Sequence, residues 1–136
     1  MPRSVLVNHS SALNFPSHVE IYLSTELNYN ALCGPFSQPP FYLLQHSPLM
    51  TAPKKKSNSR RVIMDLSFPK DCSVNSGTPK DTYLGVPYKL HLPSAQDLRD
   101  LIIKQGRSCF LWSADLKRGY RQLRVCPLDW PLLGIQ

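Results

Sequence analysis

Thirteen prolines distributed along 136 residues are the strongest constraint on how this chain can fold. Proline fixes its own backbone angle, lacks an N–H donor and biases the residue before it toward extended conformations. We therefore expect many extended or irregular segments. The sequence "GPFSQPPF", residues 34–41, is predicted to form an extended arm for this reason.

Two segments that lie between prolines carry helix signals. Residues 16–31 place an apolar side chain at every fourth position, which predicts a helix that packs on the rest of the protein. Residues 94–105 begin with Ser94 and Asp97 at the spacing of a capping box and carry an apolar stripe. Gly106 follows and can end this second helix.

The segment "CFLWSAD", residues 109–115, follows the second helix within three residues and is predicted to be a strand. Side chains alternate between the two faces of a strand. We therefore expect Phe110 and Trp112 to pack on the helix, while the opposite face ends in the carboxylate of Asp115.

Asp115 is the first candidate functional residue. A carboxylate at the carboxyl end of a strand, beside free backbone carbonyls, is well placed to hold a hard cation such as Mg2+. Spacing alone is also compatible with a structural role: Asp115 could cap a following helix, or form an ion pair with Lys117 or Arg118.

A cluster of cations lies near the middle of the chain. "KKKSNSRR", residues 54–61, places five cations among eight residues between two apolar stretches, which predicts a basic hairpin loop that joins two strands. Lysine offers a mobile point charge and arginine a bidentate fork, so such a loop can grip phosphates. A solvated loop or a localisation signal is the alternative. The formal net charge of +7 favours an anionic partner such as nucleic acid or nucleotide, and charge alone is equally compatible with a merely basic soluble protein.

Several protein classes are excluded by composition. The four cysteines form no Cys-x-x-Cys pair, so neither a zinc site nor a disulfide framework is expected, and reduced thiols indicate an intracellular compartment, cytoplasmic or nuclear. The amino terminus shows no secretory signal, so the protein is not expected to be secreted. The longest uncharged run, residues 27–53, contains five prolines and cannot be a membrane span.

Five segments in collinear order resemble the fingers and first palm segment of a reverse transcriptase, most closely those of DIRS-type retrotransposons. The segments are "GPFSQPPF" at 34–41, "SPLMTAPKK" at 47–55, "RRVIMDLSFP" at 60–69, "SVN" at 73–75 and "LWSADLKRGYRQLRVCPLDWPLLGIQ" at 111–136. The resemblance implies an α+β fold, namely the partial fingers and palm of a right-hand polymerase with an incomplete antiparallel sheet and packed helices. It implies fingers at about 20–93 and the start of the palm at about 94–136, and leaves residues 1–19 unassigned.

In that family, the strand-end aspartate of the first palm motif and the next backbone carbonyl bind two Mg2+ ions. The resemblance assigns this role to Asp115 and to the carbonyl of Leu116. The family's sugar-stacking aromatic residue, which clashes with a 2′-hydroxyl, falls on Tyr120. A tyrosine buried in an ordinary core is the alternative for this position.

The fingers loop of the family holds the nucleotide triphosphate with one lysine and one arginine. These positions fall on Lys54 and Arg61, with Lys55 one residue from the lysine position. Asp65 is expected to orient neighbouring loop groups and not to hold metal. Ser67 stands where many retroviral relatives have arginine, so no template contact is expected there.

The implied activity is RNA-directed DNA polymerisation: nucleotidyl transfer with Mg2+, an RNA template, a DNA primer and a deoxynucleoside triphosphate. The family completes its metal site with Tyr-x-Asp-Asp, and no adjacent pair of aspartates occurs in these 136 residues. We therefore expect an inactive fragment that lacks the remainder of the polymerase domain. A non-catalytic basic nucleic-acid-binding protein, or a decayed relic, is the alternative.

Overall fold

The structure, a computed structural model, describes residues 6–116 and 119–136, without the side chain of Arg121. The chain separates into two compact units. The first contains the described residues up to Thr78 together with Arg124–Gln136, and the second is Pro79–Leu123. The predicted boundary between fingers and palm remains a prediction.

The first unit is built from short helices and one antiparallel hairpin. In chain order its elements are α1 (Ser10–Leu13), α2 (Pro16–Asn28), β1 (Leu49–Pro53), β2 (Arg60–Met64), α3 (Val74–Gly77) and the 3-10 helix Pro127–Leu132.

Helix α2 confirms the helix predicted at residues 16–31 and ends three residues earlier than expected. Pro16 occupies the first helical position, where its missing N–H is not needed and its fixed angle suits the helix. At the other end Asn30 adopts a left-handed conformation with φ of 53°. Its N–H donates to the carbonyl of Leu27, and the next N–H, from Ala31, donates to Glu26. This is a Schellman cap, which stops the helix.

Strands β1 and β2 confirm the predicted hairpin. They pair antiparallel in continuous register from Leu49 opposite Met64 to Pro53 opposite Arg60. Residues that face each other across a ladder project from the same side of the sheet. Leu49 and Thr51 therefore lie on one face with their β2 partners, and both are buried.

The small core of the first unit lies where α1 contacts β1. Leu49 is 1% exposed, Pro48 is equally buried, and Ala12 of α1 is buried beside β1. Burial of a leucine side chain contributes about 2 kcal/mol, so this contact is a main source of stability for the hairpin.

Residues 8–11, which precede every motif found in the sequence, bond the outward-facing backbone groups of β1. The side-chain oxygen of Asn8 accepts from Leu49 N–H at 2.7 Å. In return His9 N–H donates to Leu49 O at 3.0 Å. The hydroxyl of Ser11 accepts from Thr51 N–H at 3.1 Å. These residues, to which the resemblance gives no role, are thus an integral part of the first unit.

The carboxyl-terminal segment is bonded to residues 45–47 within the first unit. Gln45 N–H donates to Pro131 O at 2.7 Å, Ser47 N–H to Gly134 O at 2.9 Å, and Gly134 N–H to Gln45 O at 3.0 Å. A side chain at Gly134 would place its Cβ 2.8 Å from Gln45 O. This close approach explains why glycine occupies the position.

The second unit contains a very short hairpin and one longer helix. Its elements are β3 (Thr82–Tyr83), β4 (Val86–Pro87), α4 (Ala95–Gln105) and the 3-10 helix Gly119–Gln122. Leu84 and Gly85, which join the two strands, both have positive φ, as a type I′ turn requires.

Helix α4 confirms the prediction for residues 94–105. Ser94 is the N-cap, and its hydroxyl accepts from Asp97 N–H at 3.2 Å while Ser94 N–H donates to the Asp97 carboxylate at 2.7 Å. Gly106, with φ of 85°, ends the helix as expected. The Ser94 hydroxyl also donates to the Asp97 carboxylate at 2.6 Å, and this bond together with that from Ser94 N–H lowers the pKa of Asp97 below its ordinary value.

The prediction of a strand at residues 109–115 is wrong. This segment has no regular structure, and Phe110 and Trp112 are 97% and 87% exposed, so neither packs on α4. Leu98 and Leu101 of the α4 stripe are also exposed. A strand needs a ladder partner, and the described residues provide none for this segment.

In class, the fold is mixed α/β with two antiparallel two-stranded sheets. This confirms the expected combination of helices with antiparallel strands, while the right-hand polymerase architecture remains a prediction. None of the helices in the described ranges is long and apolar enough to cross a membrane.

Candidate functional site

The basic loop is a closed continuation of the β1–β2 hairpin. Lys54 N–H donates to Ser59 O at 3.0 Å, which extends the ladder one pair beyond the strands. Within the loop the hydroxyls of Ser57 and Ser59 are 2.7 Å apart, and Lys56 has a left-handed φ of 62°. The loop therefore has internal bonds of its own, and its three lysines project into solvent.

Arg60 is held within the fold. Its Nε donates to the hydroxyl of Thr51 at 2.9 Å, and its guanidinium carbon lies 3.8 Å from the centre of the Phe15 ring. The same threonine hydroxyl donates to Ser11 O at 2.6 Å. This chain of contacts connects β2 to β1 and to the helices, so Arg60 has a structural role.

Arg61 has the opposite environment. It pairs with Ala52, so it projects from the face of the hairpin opposite Leu49 and Thr51, and it is exposed. Its side chain has no hydrogen-bond or ion-pair partner among the residues that the structure describes. The donors of Arg61 are therefore available to a ligand, whereas those of Arg60 are occupied.

Strand alternation also distinguishes Lys54 from Lys55. Because Lys54 pairs with Ser59, it lies on the same face as Ala52 and Arg61. Diagonal neighbours on one face of an antiparallel pair are about 7–8 Å apart between their Cα atoms, a separation that a triphosphate can bridge. Lys55, one residue later, is exposed in the loop outside this ladder. The structure thus brings Lys54 and Arg61 together.

Asp65 closes the base of the hairpin. Its N–H donates to Pro48 O at 2.9 Å. One carboxylate oxygen accepts from Ser67 N–H at 3.0 Å, and the other lies 3.0 Å from Nε2 of His9. With both oxygens occupied inside the protein, Asp65 fits an orienting role.

The "SVN" segment is joined to the same region. Ser73 caps α3 by accepting from Ser76 N–H at 3.2 Å. Asn75 in α3 donates from its side chain to the Ser67 hydroxyl at 2.8 Å, and its N–H donates to Leu66 O at 2.9 Å. Ser67 therefore serves an internal contact at the position where arginine would contact a template.

The remaining candidate residues belong to the second unit. Asp115 and Leu116 are exposed in irregular chain, so Asp115 does not end a strand. Leu116 O accepts from Gly119 N–H at 3.1 Å, which leaves one lone pair of this carbonyl for another contact. Tyr120 is 94% exposed, so the alternative of a buried core tyrosine is wrong.

The resemblance implies a Mg2+ site at Asp115 and Leu116, within the second unit. In residues 6–116 and 119–136, no group of three or more His, Cys, Asp or Glu side chains could hold a metal ion. Asp115 and the Leu116 carbonyl are oxygen donors of the kind that Mg2+ prefers, but its octahedral shell needs further ligands. Lys117 and Arg118, the alternative ion-pair partners of Asp115, lie outside the described residues.

Two features of this region were not foreseen from the sequence. The His9–Asp65 pair joins residues 56 positions apart, and no local pattern indicates such a contact. The structural role of Arg60 follows from which face of β1 is buried, and the spacing of the buried residues Leu49 and Thr51 carries a signal for that.

Comparisons with models of protein families, with curated proteins and with solved structures found no match to this chain. The resemblance to reverse transcriptases therefore depends on the ordered motifs, and the choice of Lys54 and Arg61 as candidates for phosphate binding depends on that resemblance together with the geometry of the hairpin.

Proposed function

We propose that this chain contributes the triphosphate-binding hairpin and the first palm segment of an RNA-directed DNA polymerase from a DIRS-type retrotransposon. The observation that carries the proposal is the shared exposed face of Lys54 and Arg61. Both lie where the resemblance requires the triphosphate-binding pair, and Arg60 beside them is occupied by Thr51 and Phe15.

The two cations would act on the triphosphate in complementary ways. Arg61 offers a planar fork that can donate two parallel hydrogen bonds to phosphate oxygens. Lys54 adds a point charge from the edge of the loop, where its flexible stem can follow the phosphate chain. Tyr120, fully exposed, is free to stack on the sugar of a bound nucleotide.

The catalytic half of the proposal concerns Asp115. Magnesium ions bound there would neutralise the triphosphate and lower the pKa of the primer hydroxyl. Asp115 and the Leu116 carbonyl would supply two of the oxygen ligands. No adjacent aspartate pair is present in the sequence, so we propose that these 136 residues alone do not synthesise DNA.

The alternative is a basic nucleic-acid-binding protein without chemistry. The formal charge of +7 and the exposure of Lys55 and Lys56 favour it. Such a protein binds RNA or DNA through its phosphates, independently of sequence, and its affinity falls steeply with salt. The "KRGYR" segment, residues 117–121, would contribute further cations to this binding.

Calorimetric titration with deoxyadenosine triphosphate, with and without Mg2+, separates the two functions. We expect Lys54→Ala to weaken binding roughly tenfold, the loss of one charge-assisted hydrogen bond of about 1.5 kcal/mol. We expect Mg2+ to strengthen binding to the unaltered chain but not to Asp115→Asn. Lys89→Ala, an exposed lysine in the second unit, is the matched control and should leave binding unchanged.

A different outcome would identify a basic nucleic-acid-binding protein without catalytic activity. In that case Lys54→Ala and Lys89→Ala would weaken binding of a single-stranded RNA oligonucleotide equally, with a steep salt dependence. Asp115→Asn would then bind as well as the unaltered chain or better, and Mg2+ would not strengthen nucleotide binding. Those results would refute the polymerase assignment.

A further inference from the structure

His9 makes three contacts although it belongs to no motif. Its ring nitrogen Nε2 donates to the Asp65 carboxylate at 3.0 Å, its N–H donates to Leu49 O at 3.0 Å, and Phe68 meets its ring edge-on at 5.2 Å. The side chains of His9 and Asp65 are 33% and 24% exposed, so water only partly screens the pair.

The contacts of Asp65 place this pair at the base of the hairpin. Asp65 N–H donates to Pro48 O, which extends the β1–β2 ladder by one pair beyond Leu49 and Met64. Leu49 is the first residue of β1. His9 therefore holds both strands at once: β1 through its backbone and the end of β2 through its ring.

We infer that His9 is a positioning residue for phosphate binding by the hairpin: through Asp65 it fixes the two strands that carry Lys54 and Arg61. This inference rests on the proposed triphosphate-binding function. Asp65 follows Arg61 by four residues, about 13 Å along a strand. That distance exceeds the screening length of about 8 Å in physiological salt, so the charge of Asp65 acts little on a bound phosphate. The effect of the pair is positional.

Asp65 is the one charged side chain that contacts His9 in the described part of the chain, so a test of this inference must address the His9–Asp65 contact.

Calorimetric titration of the whole chain with inorganic triphosphate tests the inference. We expect His9→Ala to weaken binding roughly 3- to 10-fold, as for other residues in contact.

Two further variants separate positioning from general destabilisation. Asp65→Asn should weaken binding by a similar factor, and adding His9→Ala to it should have no further effect. His9→Gln keeps an N–H donor, so its loss of binding should be smaller than that of His9→Ala. If His9→Ala does not fold by circular dichroism, His9→Gln and Asp65→Asn carry the same test. His91→Ala, an exposed histidine of the second unit, is the control.

The outcomes distinguish this inference from the function on which it rests. If the unaltered chain binds triphosphate and Arg61→Ala weakens that binding roughly tenfold, but every His9 variant binds within about twofold of the unaltered chain, the inference about His9 is overturned alone. If losses at His9 and Asp65 simply add, the pair does not act as a unit and the inference is likewise overturned. If the unaltered chain binds no triphosphate, both the inference about His9 and the proposed function are refuted.

Discussion

The adjacent arginines of β2 predict two opposite phenotypes. Arg60→Ala removes a hydrogen bond from a charged group to Thr51 and the stacking of the guanidinium on Phe15. Because Arg60 is only half-buried, we take the lower end of each range, about 1.5 kcal/mol for the bond and about 0.5 kcal/mol for the ring contact. The expected loss of stability is therefore about 2 kcal/mol, or roughly 8 °C in Tm.

Arg61→Ala should leave stability unchanged, because its side chain contacts no described residue through a hydrogen bond or ion pair. It should instead weaken triphosphate binding roughly tenfold, which corresponds to about 1.5 kcal/mol. Thermal unfolding by circular dichroism and calorimetric titration, performed on both variants, measure the two quantities. Each variant is the matched control for the other, since the same side chain is removed at neighbouring positions.

An exchange of the two phenotypes would refute these roles of Arg60 and Arg61. If Arg61→Ala lowered Tm as much as Arg60→Ala, the assignment of the two faces of β2 would be wrong. If Arg60→Ala, still folded at the temperature of the titration, weakened triphosphate binding more than Arg61→Ala, the phosphate-binding arginine would be the other one.

Two further predictions concern local geometry. Gly134→Ala should lower the free energy of unfolding by about 2 kcal/mol, because the new Cβ would separate the backbone groups that bond Gly134 to Gln45 and Ser47. Gly77→Ala, where nothing lies within 4 Å of the added carbon, should be neutral in the same urea titration; equal losses would contradict the explanation. Because the pKa of Asp97 is lowered in the folded protein, its carboxylate stabilises α4 at pH values above the ordinary pKa of aspartate. This contribution should be lost as the pH falls through the lowered pKa. Helical circular dichroism of Asp97→Asn should therefore change less with acid than that of the unaltered chain, and an identical acid response would contradict it.

Elements that depend on neighbouring residues were predictable from the sequence. The capping box at Ser94 and Asp97 and the glycine at 106 are local signals, and α4 has the bounds they indicate to within one residue. The hairpin was predictable because its basic loop joins two apolar stretches that pair directly across it. In both cases the partners lie close together in the chain.

The strand predicted at residues 109–115 failed for the complementary reason. Alternating side chains indicate that a segment can form a strand. A strand must pair with a second strand, and alternation carries no information about where that second strand lies. The candidate site divides in the same way. Residues 54–61 could be identified as phosphate-binding candidates from charge, and the resemblance placed the arginine position on Arg61, whereas the structural role of Arg60 required the register of β1 with β2. The contact of His9 with Asp65 joins distant parts of the chain and had no signal.

The bonds that residues 8–11 make to β1 bear on how this protein can be shortened. A chain that begins at residue 20, where the resemblance to polymerases begins, would lose the partners of Leu49 and Thr51. The outer edge of β1 would then present unpaired N–H and C=O groups, which recruit strands from other molecules. A protein cut at domain limits that were taken from motif similarity alone would lose the hydrogen bonds of this edge of β1, which would become an aggregation site. A shortened version should therefore retain Asn8 through Ser11.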